Sequence, residues 1–310
     1  MERILLTGAS GLLGLNFGLR MDNRYQIIGV YSSHVLKNVP FTMVQSNFYV
    51  DSIEKLIDEQ RPDAVIHCAA MANIDACQKD PEHAFYLNGE VSGKFASACK
   101  ARSIPMIYIS TDAVFDGKNS GKEGYSETDP VNPNNIYAES KLLGEQRVLE
   151  NDPDAVIARV NFYGWSLTQK RSLGEIFFHN LYEGKQMMGF TDIFFCTLYA
   201  ANLCDILEKM LLKNAKGLYH VFSSEYQSKY DFGVSIAERF GFDKNLIKPV
   251  SWKDGGLNAV RSPNLIMNTS KLQKFLNEKL PDQKQCLERF YEDYQAGFPE
   301  KISAMASPDK

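Results

Sequence analysis

Short runs of β-branched and apolar residues alternate with longer helical stretches through the first half of the chain, and this alternation constrains the fold most. The predicted strands are RILLTG, QIIGVYS, AVIHCAA, PMIYIST and AVIARV. Helical patterns separate them. AVIHCAA is apolar on both faces, which is typical of a covered parallel strand. The pattern therefore predicts an α/β protein with a doubly wound parallel sheet.

A glycine-rich turn follows the first predicted strand directly. The segment TGASGLLG places Gly8, Gly11 and Gly14 three residues apart. This spacing suits a tight turn, close backbone approach to a pyrophosphate and close packing of helix on strand. The helix that follows would direct unpaired N–H groups and its positive dipole end at the phosphates. The turn therefore predicts that the chain binds a dinucleotide.

The end of the second predicted strand bears on which dinucleotide is bound. NAD-binding sheets usually place an acidic residue there, which binds the ribose 2′-hydroxyl. This chain has VYSSHVLK instead, without Asp or Glu. Ser32, Ser33, His34 and Lys37 could meet a 2′-phosphate, or they could be ordinary polar loop residues. The segment therefore favours NADP(H) and leaves NAD(H) open.

The alternation becomes less regular after Val160, where we expect a smaller C-terminal lobe that binds the substrate. We expect the dinucleotide-binding domain to span residues 1–165 and also to include roughly residues 190–222, where the chain crosses back. The substrate lobe would then comprise roughly residues 166–189 and 223–298. The last residues, 299–310, are expected to form a frayed tail.

Composition and charge exclude several classes of protein. The 310 residues carry a net charge of −4 and give a pI near 5.8, so nothing indicates binding to nucleic acid or to a membrane. No apolar stretch approaches the roughly 18 residues of a membrane span, and MERILLTGAS lacks a signal-peptide pattern. Six scattered cysteines form no CxxC pair or zinc spacing, so no metal site is predicted. We expect a cytoplasmic protein with reduced thiols, acting alone or as a homodimer.

Three polar side chains are expected to converge at the carboxyl edge of the sheet. The strand PMIYIST ends in Thr111 and is followed by Asp112, and the helix in NNIYAESKLLGE carries Tyr137 and Lys141 four residues apart. Residues at that spacing share a helix face. A nearby ammonium and the cationic nicotinamide ring of a bound cofactor would lower the pKa of the phenol from its usual value of about 10. Tyr137 could then exchange a proton with a carbonyl or an alcohol, while Thr111 binds the same oxygen.

Several segments together resemble the extended short-chain dehydrogenase/reductases, and most closely the dTDP-4-dehydrorhamnose reductases and their sugar-nucleotide-binding relatives. The resemblance covers almost the whole chain. The segments that carry it are TGASGLLG, HCAAMANIDACQKDPEHAFYLN, STDAVFDG, NPNNIYAESKLLGE, GLYHVFSSEYQSKYDFGVSIAERFG and AVRSPNLIMNTSKL. It implies a Rossmann fold and an NAD(P)H-dependent reductase that acts on a nucleotide-activated 4-keto-6-deoxysugar in polysaccharide biosynthesis.

The resemblance also implies roles for particular residues. Thr111, Tyr137 and Lys141 would be the catalytic set. Arg261 would contact the sugar nucleotide or be a solvated loop arginine, and Asp112 would contact the sugar or cap the local loop. Asn88 would be a structural buttress. The predicted cofactor contacts are Gly8, Ser10, Gly11, Leu12, Leu13, Ser32, Ser33, Ala69, Ala70, Tyr137 and Lys141.

This chain departs from the reductase pattern at several positions near the substrate. Ala113 replaces the usual Tyr after STD, Ser262 replaces Pro after Arg261, and Asn268 replaces Asp before TSKL. These changes leave the cofactor chemistry intact and concern the sugar, which the sequence does not identify.

Two other functions remain open. A sugar-nucleotide epimerase could use the same fold, whereas a dehydratase would need a second acid where this chain has Ala113. A non-catalytic NADP-binding regulatory subunit is the other alternative. The regulatory β subunit of methionine adenosyltransferase is similar to these reductases and keeps most of the same motifs, so an intact triad does not guarantee a reaction.

Overall fold

A seven-stranded parallel sheet organises the chain. The computed structural model describes residues 2–118, 123–254 and 262–306. In chain order the strands are β1 (Arg3–Thr7), β2 (Gln26–Tyr31), β3 (Thr42–Gln45), β4 (Ala64–His67), β5 (Met106–Thr111), β6 (Val156–Val160), β7 (Phe162–Tyr163), β8 (Met187–Phe190), β9 (Phe194–Phe195), β10 (Leu198–Tyr199), β11 (Gly217–Val221), β12 (Gln227–Ser228), β13 (Ile247–Val250) and β14 (Asn264–Leu265). The main sheet has the spatial order β11-β6-β5-β4-β1-β2-β3, so the predicted doubly wound fold is confirmed.

Helices cover both faces of this sheet. In chain order they are α1 (Leu12–Met21), α2 (Ile53–Gln60), α3 (Ile74–Lys79), α4 (Pro81–Phe85), α5 (Val91–Lys100), α6 (Ile136–Asn151), α7 (Leu173–Tyr182), α8 (Ala200–Leu212), α9 (Lys229–Phe240), α10 (Ser270–Leu276), α11 (Gln283–Gln295) and α12 (Phe298–Ser303). Among the described residues, none of these helices is long and apolar enough to cross a membrane.

The pleat of the strands divides the core into two layers. Leu5 of β1 faces one way and packs with α2 and α5, whereas its neighbours Ile4 and Leu6 face the other way and pack with α1 and α8. Successive side chains of a strand point to opposite faces, so a strand covered on both faces must be apolar throughout. This explains why the central strands are continuous apolar runs.

Two local features differ from the sequence-based expectation. β3 is an additional edge strand that the sequence pattern did not reveal, because its four residues TMVQ are exposed or half-buried and form no apolar run. The second feature is a π-helical segment, Tyr86–Glu90, which separates α4 from α5 and which the sequence pattern did not reveal. Such segments are frequent at functional sites.

The C-terminal third adds helices and short strand pairs beyond the main sheet. β8 pairs with β13, and β9 pairs with both β12 and β14. The proposed division into a dinucleotide-binding domain and a substrate lobe stays a prediction.

The expected frayed tail is wrong for residues 299–306. α12 continues to Ser303, the side chain of Ile302 is fully buried and that of Met305 is 4% exposed. The backbone N–H of Lys37 donates to the carbonyl of Met305 at 2.9 Å. The segment is therefore part of the packed structure, because Ile302 in α12 and Met305 just beyond its end are both buried in the core.

Candidate active site

Two adjoining cavities lie at the carboxyl edge of the main sheet. The first cavity has a volume of about 370 Å³ and the second about 280 Å³. Five residues line both cavities, namely Gly8, Gly11, Cys68, Ala70 and Arg171. In open α/β sheets ligands bind at this edge. The two cavities therefore form one continuous cleft with a shared central part.

The glycine turn forms the wall of the cleft below that shared part. Gly8 has a φ of +66°, and an added Cβ would lie 2.8 Å from the backbone nitrogen of Ala69. At Gly14 an added Cβ would lie 2.3 Å from the carbonyl oxygen of Gly8. Both glycines are thus required by close packing of the turn, α1 and the end of β4. Gly11 caps α1 without a side chain and lines both cavities, so it leaves the first helical N–H groups accessible from the cleft.

The second cavity contains the predicted residues that follow β2. Ser32, Ser33 and His34 line it, and no Asp or Glu is among its lining residues. Lys37 does not line either cavity. Sequence patterns did not reveal the opposite wall, where Tyr49 and His83 lie with ring centroids 5.1 Å apart.

The first cavity brings the three predicted catalytic residues together. Thr111 ends β5, and Tyr137 and Lys141 lie one turn apart on α6. Asn135 fixes the start of α6, since its side-chain oxygen accepts from the N–H of Ala138 at 3.0 Å. The three residues predicted from the sequence therefore share one cavity. Their roles stay predictions.

The predicted lowering of the Tyr137 pKa is wrong for the protein without bound ligand. Burial raises the pKa of Tyr137 to about 12, and the charge of Asp112 adds to this rise. The ammonium of Lys141 instead lies 4.0 Å from the centroid of the Tyr108 ring. Local spacing could not show this, because the pKa depends on how far the whole fold desolvates the phenol.

Lys141 is itself perturbed. Burial lowers the pKa of Lys141 to about 7, whereas the charge of Glu145 opposes the change. Glu145 lies one further turn along α6, and its carboxylate accepts two bonds from Arg159, at 2.8 and 2.7 Å, and one from Ser110 at 2.5 Å. Near neutral pH Lys141 is therefore only partly charged.

Asp112 is buried at the same edge. Asn161 donates to one of its carboxylate oxygens at 2.7 Å, and Thr111 donates to the other at 3.1 Å. Burial raises the pKa of Asp112 to about 6, and these two hydrogen bonds oppose the rise. Thr111, Asp112 and Asn161 thus form one connected series of hydrogen bonds.

The other predicted cofactor residues also line the two cavities. Ser10 and Ala69 line the second cavity, Leu12 and Leu13 line the first, and Ala70 lines both. Arg261 lies outside the described residues. Its neighbour Ser262 donates to the carbonyl of Phe115 at 2.8 Å.

Asn88 supports the cleft from below. It is fully buried in the π-helical segment. Its side-chain oxygen accepts from the N–H of Met71 at 2.8 Å, and its amide nitrogen donates to Ser140 at 2.9 Å. These bonds join the loop after β4 to α6, as expected for a buttress.

Several cleft residues come from a loop that the motifs did not reveal. Arg171, Ser172 and Leu173 line the first cavity from the segment that follows β7. Their positions depend on tertiary folding and leave no local signature in the sequence. Across residues 2–118, 123–254 and 262–306, no three His, Cys, Asp or Glu side chains are grouped so that they could hold a metal ion.

Comparison with known proteins assigns the family. The model of the RmlD substrate binding domain matches residues 1–296. The chain belongs to this family. A probable low-salt glycan biosynthesis reductase, Agl14 of Haloferax volcanii, is 32% identical over 297 residues, which covers 93% of this chain and 98% of the relative.

Two further similarities bear on function. The β subunit of methionine adenosyltransferase 2 from Danio rerio is 29% identical over 283 residues, covering 88% of this chain and 84% of that protein. The crystal structure of dTDP-4-dehydrorhamnose reductase (rfbD) from Bacillus anthracis in complex with NADP has a TM-score of 0.78 and 25% identity, covering 94% of this chain and 99% of that one. This chain is therefore similar both to reductases and to a subunit of another enzyme.

Proposed function

We propose that this protein is an NADPH-dependent reductase that converts the keto group of a nucleotide-activated 4-keto-6-deoxysugar to an alcohol. The observation that carries the proposal is the first cavity, where Thr111, Tyr137 and Lys141 meet the glycine turn. A protonated phenol that lines a cleft of this kind is suited to transfer a proton to a bound carbonyl oxygen.

The cleft fits a nicotinamide dinucleotide. Gly11 and the first turn of α1 would hold the diphosphate. Ser32, Ser33 and His34 would surround the 2′-phosphate, and the lack of an acidic residue among those lining the second cavity favours a phosphate there. The similar reductase from Bacillus anthracis, solved with NADP, supports the choice of NADP(H) over NAD(H).

The cofactor would supply a hydride to the keto carbon of the sugar. Tyr137 would give its hydroxyl proton to the keto oxygen, so that one hydride and one proton together make the alcohol. With a pKa of about 12, Tyr137 holds this proton throughout the neutral range. Thr111 would position the keto oxygen, and solvent would restore the proton on the phenolate.

The relatives support a sugar nucleotide as the substrate. Agl14 is named a glycan biosynthesis reductase and the Bacillus anthracis enzyme a dTDP-4-dehydrorhamnose reductase. Asp112 and Asn161 line the first cavity, where the sugar would bind. Arg261 would contact the nucleotide.

The test is an assay of cofactor oxidation. The purified protein is mixed with NADPH and with dTDP-, UDP- or GDP-linked 4-keto-6-deoxysugars, and both NADPH and the sugar product are quantified. The proposal predicts one NADPH consumed for each alcohol formed with at least one substrate. Sugar conversion without net cofactor consumption would indicate an epimerase, and no conversion of any substrate would refute the proposal.

A non-catalytic subunit is the second candidate, because the chain is also similar to the β subunit of methionine adenosyltransferase 2. This alternative predicts dinucleotide binding without turnover. It also predicts that an unrelated enzyme co-purifies with the protein, and that the kinetics of that enzyme change when the protein is removed.

A further inference from the structure

Arg171 lies where the two cavities meet. It lines the first and second cavities and also a smaller one of about 180 Å³ beside Ser10 and His34. Its side chain is exposed. Within the described part of the chain, no hydrogen bond or ion pair engages its guanidinium group.

The backbone of Arg171 is held by a buried carboxylate. Glu175 is fully buried, and its carboxylate accepts from the N–H of Arg171 at 3.0 Å and from the N–H of Ser172 at 3.0 Å. It also accepts from the N–H and the hydroxyl of Ser166, at 2.6 and 3.0 Å. These four bonds fix both ends of the loop 166–172. Arg171 therefore extends from an anchored backbone, not from a free loop.

The charges around the cleft favour an anion at this position. Among the residues that line the two cavities, Asp112 is the one acidic residue, and it lies in the first cavity with Tyr137. Arg171 and Lys141 are the lining residues with cationic side chains, and Lys141 is deeply buried on α6. Arg171 is thus the cationic side chain that lines both cavities.

We propose that the guanidinium of Arg171 binds the diphosphate bridge of the dinucleotide in the part of the cleft that it shares with the glycine turn. This inference rests on the proposed function. The bridge joins the two halves of the cofactor, so it must pass through the part of the cleft that both cavities share, where Gly8, Gly11 and Arg171 lie together. A planar guanidinium can donate two parallel hydrogen bonds to phosphate oxygens, which a lysine cannot.

The experiment measures Kd by calorimetry for three probes: NADPH, ADP and adenosine 2′-monophosphate. The variants are Arg171→Ala, Arg171→Lys and the control Lys170→Ala, which removes an equal charge from an exposed neighbour that does not line the cleft. For Arg171→Ala we expect the Kd of NADPH and ADP to rise about 10- to 100-fold, as for the loss of a hydrogen bond to a charged group. Arg171→Lys should give an intermediate rise. Adenosine 2′-monophosphate lacks the diphosphate, so its Kd should stay within about twofold.

The outcomes separate this inference from the proposed function. Unchanged NADPH and ADP affinity in Arg171→Ala, with normal binding by the wild type, would overturn the inference alone. A loss confined to adenosine 2′-monophosphate and NADPH, with ADP unaffected, would assign Arg171 to the 2′-phosphate and also overturn it. If Lys170→Ala weakens binding equally, the effect is one of general charge and the inference is wrong. Failure of the wild type to bind any of the three probes would refute both.

Discussion

Burial determines the protonation of three side chains at the carboxyl edge of the sheet. It raises the pKa of Tyr137 to about 12, raises that of Asp112 to about 6 and lowers that of Lys141 to about 7. In each case the charged form is disfavoured, because the fold removes water from the group. Tyr137 therefore keeps its hydroxyl proton at neutral pH, and the charge of the site depends mainly on Lys141.

The sequence predicted which residues meet at this edge but not their protonation. Thr111, Tyr137 and Lys141 could be found because a strand end and a four-residue helical spacing are local patterns. The pKa of Tyr137 could not, because it depends on the desolvation produced by the whole fold and on the orientation of Lys141 towards Tyr108. Arg171 was missed for a similar reason, since only tertiary folding brings its loop to the glycine turn.

The pH dependence of catalysis should report Lys141. The ammonium is present below a pH of about 7 and is lost above it, and it would donate hydrogen bonds to the cofactor and favour the phenolate after proton transfer. We expect kcat/KM for NADPH, which reports ionisations of the free enzyme, to fall as pH rises through about 7. In Lys141→Arg the activity should be lower but without this decrease, because a guanidinium stays charged. A wild-type profile that is flat between pH 6 and 9 would contradict the assignment.

The elements around the cleft are positioned by caps and by close backbone packing. Asn135 starts α6 so that Tyr137 lies in its first turn, and Gly14 lets α1 approach the glycine turn directly. These features could be predicted from the sequence, since caps and spaced glycines have recognisable patterns. The edge strand β3 and the π-helical segment could not, because neither has an apolar period of its own.

Gly14→Ala tests whether the close approach of α1 to the glycine turn outweighs the higher helix propensity of alanine. Alanine is the better helix former by about 0.5–1 kcal/mol, yet its Cβ would lie 2.3 Å from the carbonyl oxygen of Gly8. We expect the free energy of unfolding in urea to fall by about 1–3 kcal/mol, as in other overpacked sites. We also expect the Kd for NADPH to rise about tenfold or more.

Gly241→Ala is the matched control for Gly14→Ala. Gly241 has a φ of +73°, and an added Cβ would meet no atom within 4 Å. Its replacement should cost about 1–2 kcal/mol of stability through backbone strain and leave the Kd for NADPH unchanged. Equal effects of the two variants on binding would show that the close approach at Gly14 is not what shapes the turn.

At the scale of the whole molecule, the C-terminal segments close one side of the main sheet. Arg20 of α1 pairs with Asp293 of α11, and its guanidinium lies 4.6 Å from the ring centroid of Phe298. Ile302 belongs to the same core cluster as Ile4 and Leu6 of β1. The fold class was predictable from the alternation of strands and helices, whereas this docking was not, because PEKISAMASPDK resembles a polar tail when considered alone.

Ile302→Ala tests whether the C-terminal helix is integral to the fold. The side chain of Ile302 is fully buried, so its truncation should lower the free energy of unfolding by about 2–5 kcal/mol. Val50 is 79% exposed. As a control, Val50→Ala should change the free energy of unfolding by less than about 0.5 kcal/mol. Both values can be measured by urea denaturation. A cost for Ile302→Ala no larger than that of the control would mean that the helix α12 is not docked in solution.

The most direct test of the central claim is the turnover number of Tyr137→Phe, measured by NADPH oxidation with the keto-sugar nucleotide that the wild type reduces best. Tyr182→Phe is the control, because Tyr182 is 67% exposed and lies outside the cleft. We predict that Tyr137→Phe lowers kcat by about 10²- to 10⁴-fold while the Kd for NADPH stays within about twofold, and that Tyr182→Phe retains wild-type kcat. Wild-type turnover in Tyr137→Phe would contradict the account, because the proton would then reach the carbonyl from another group.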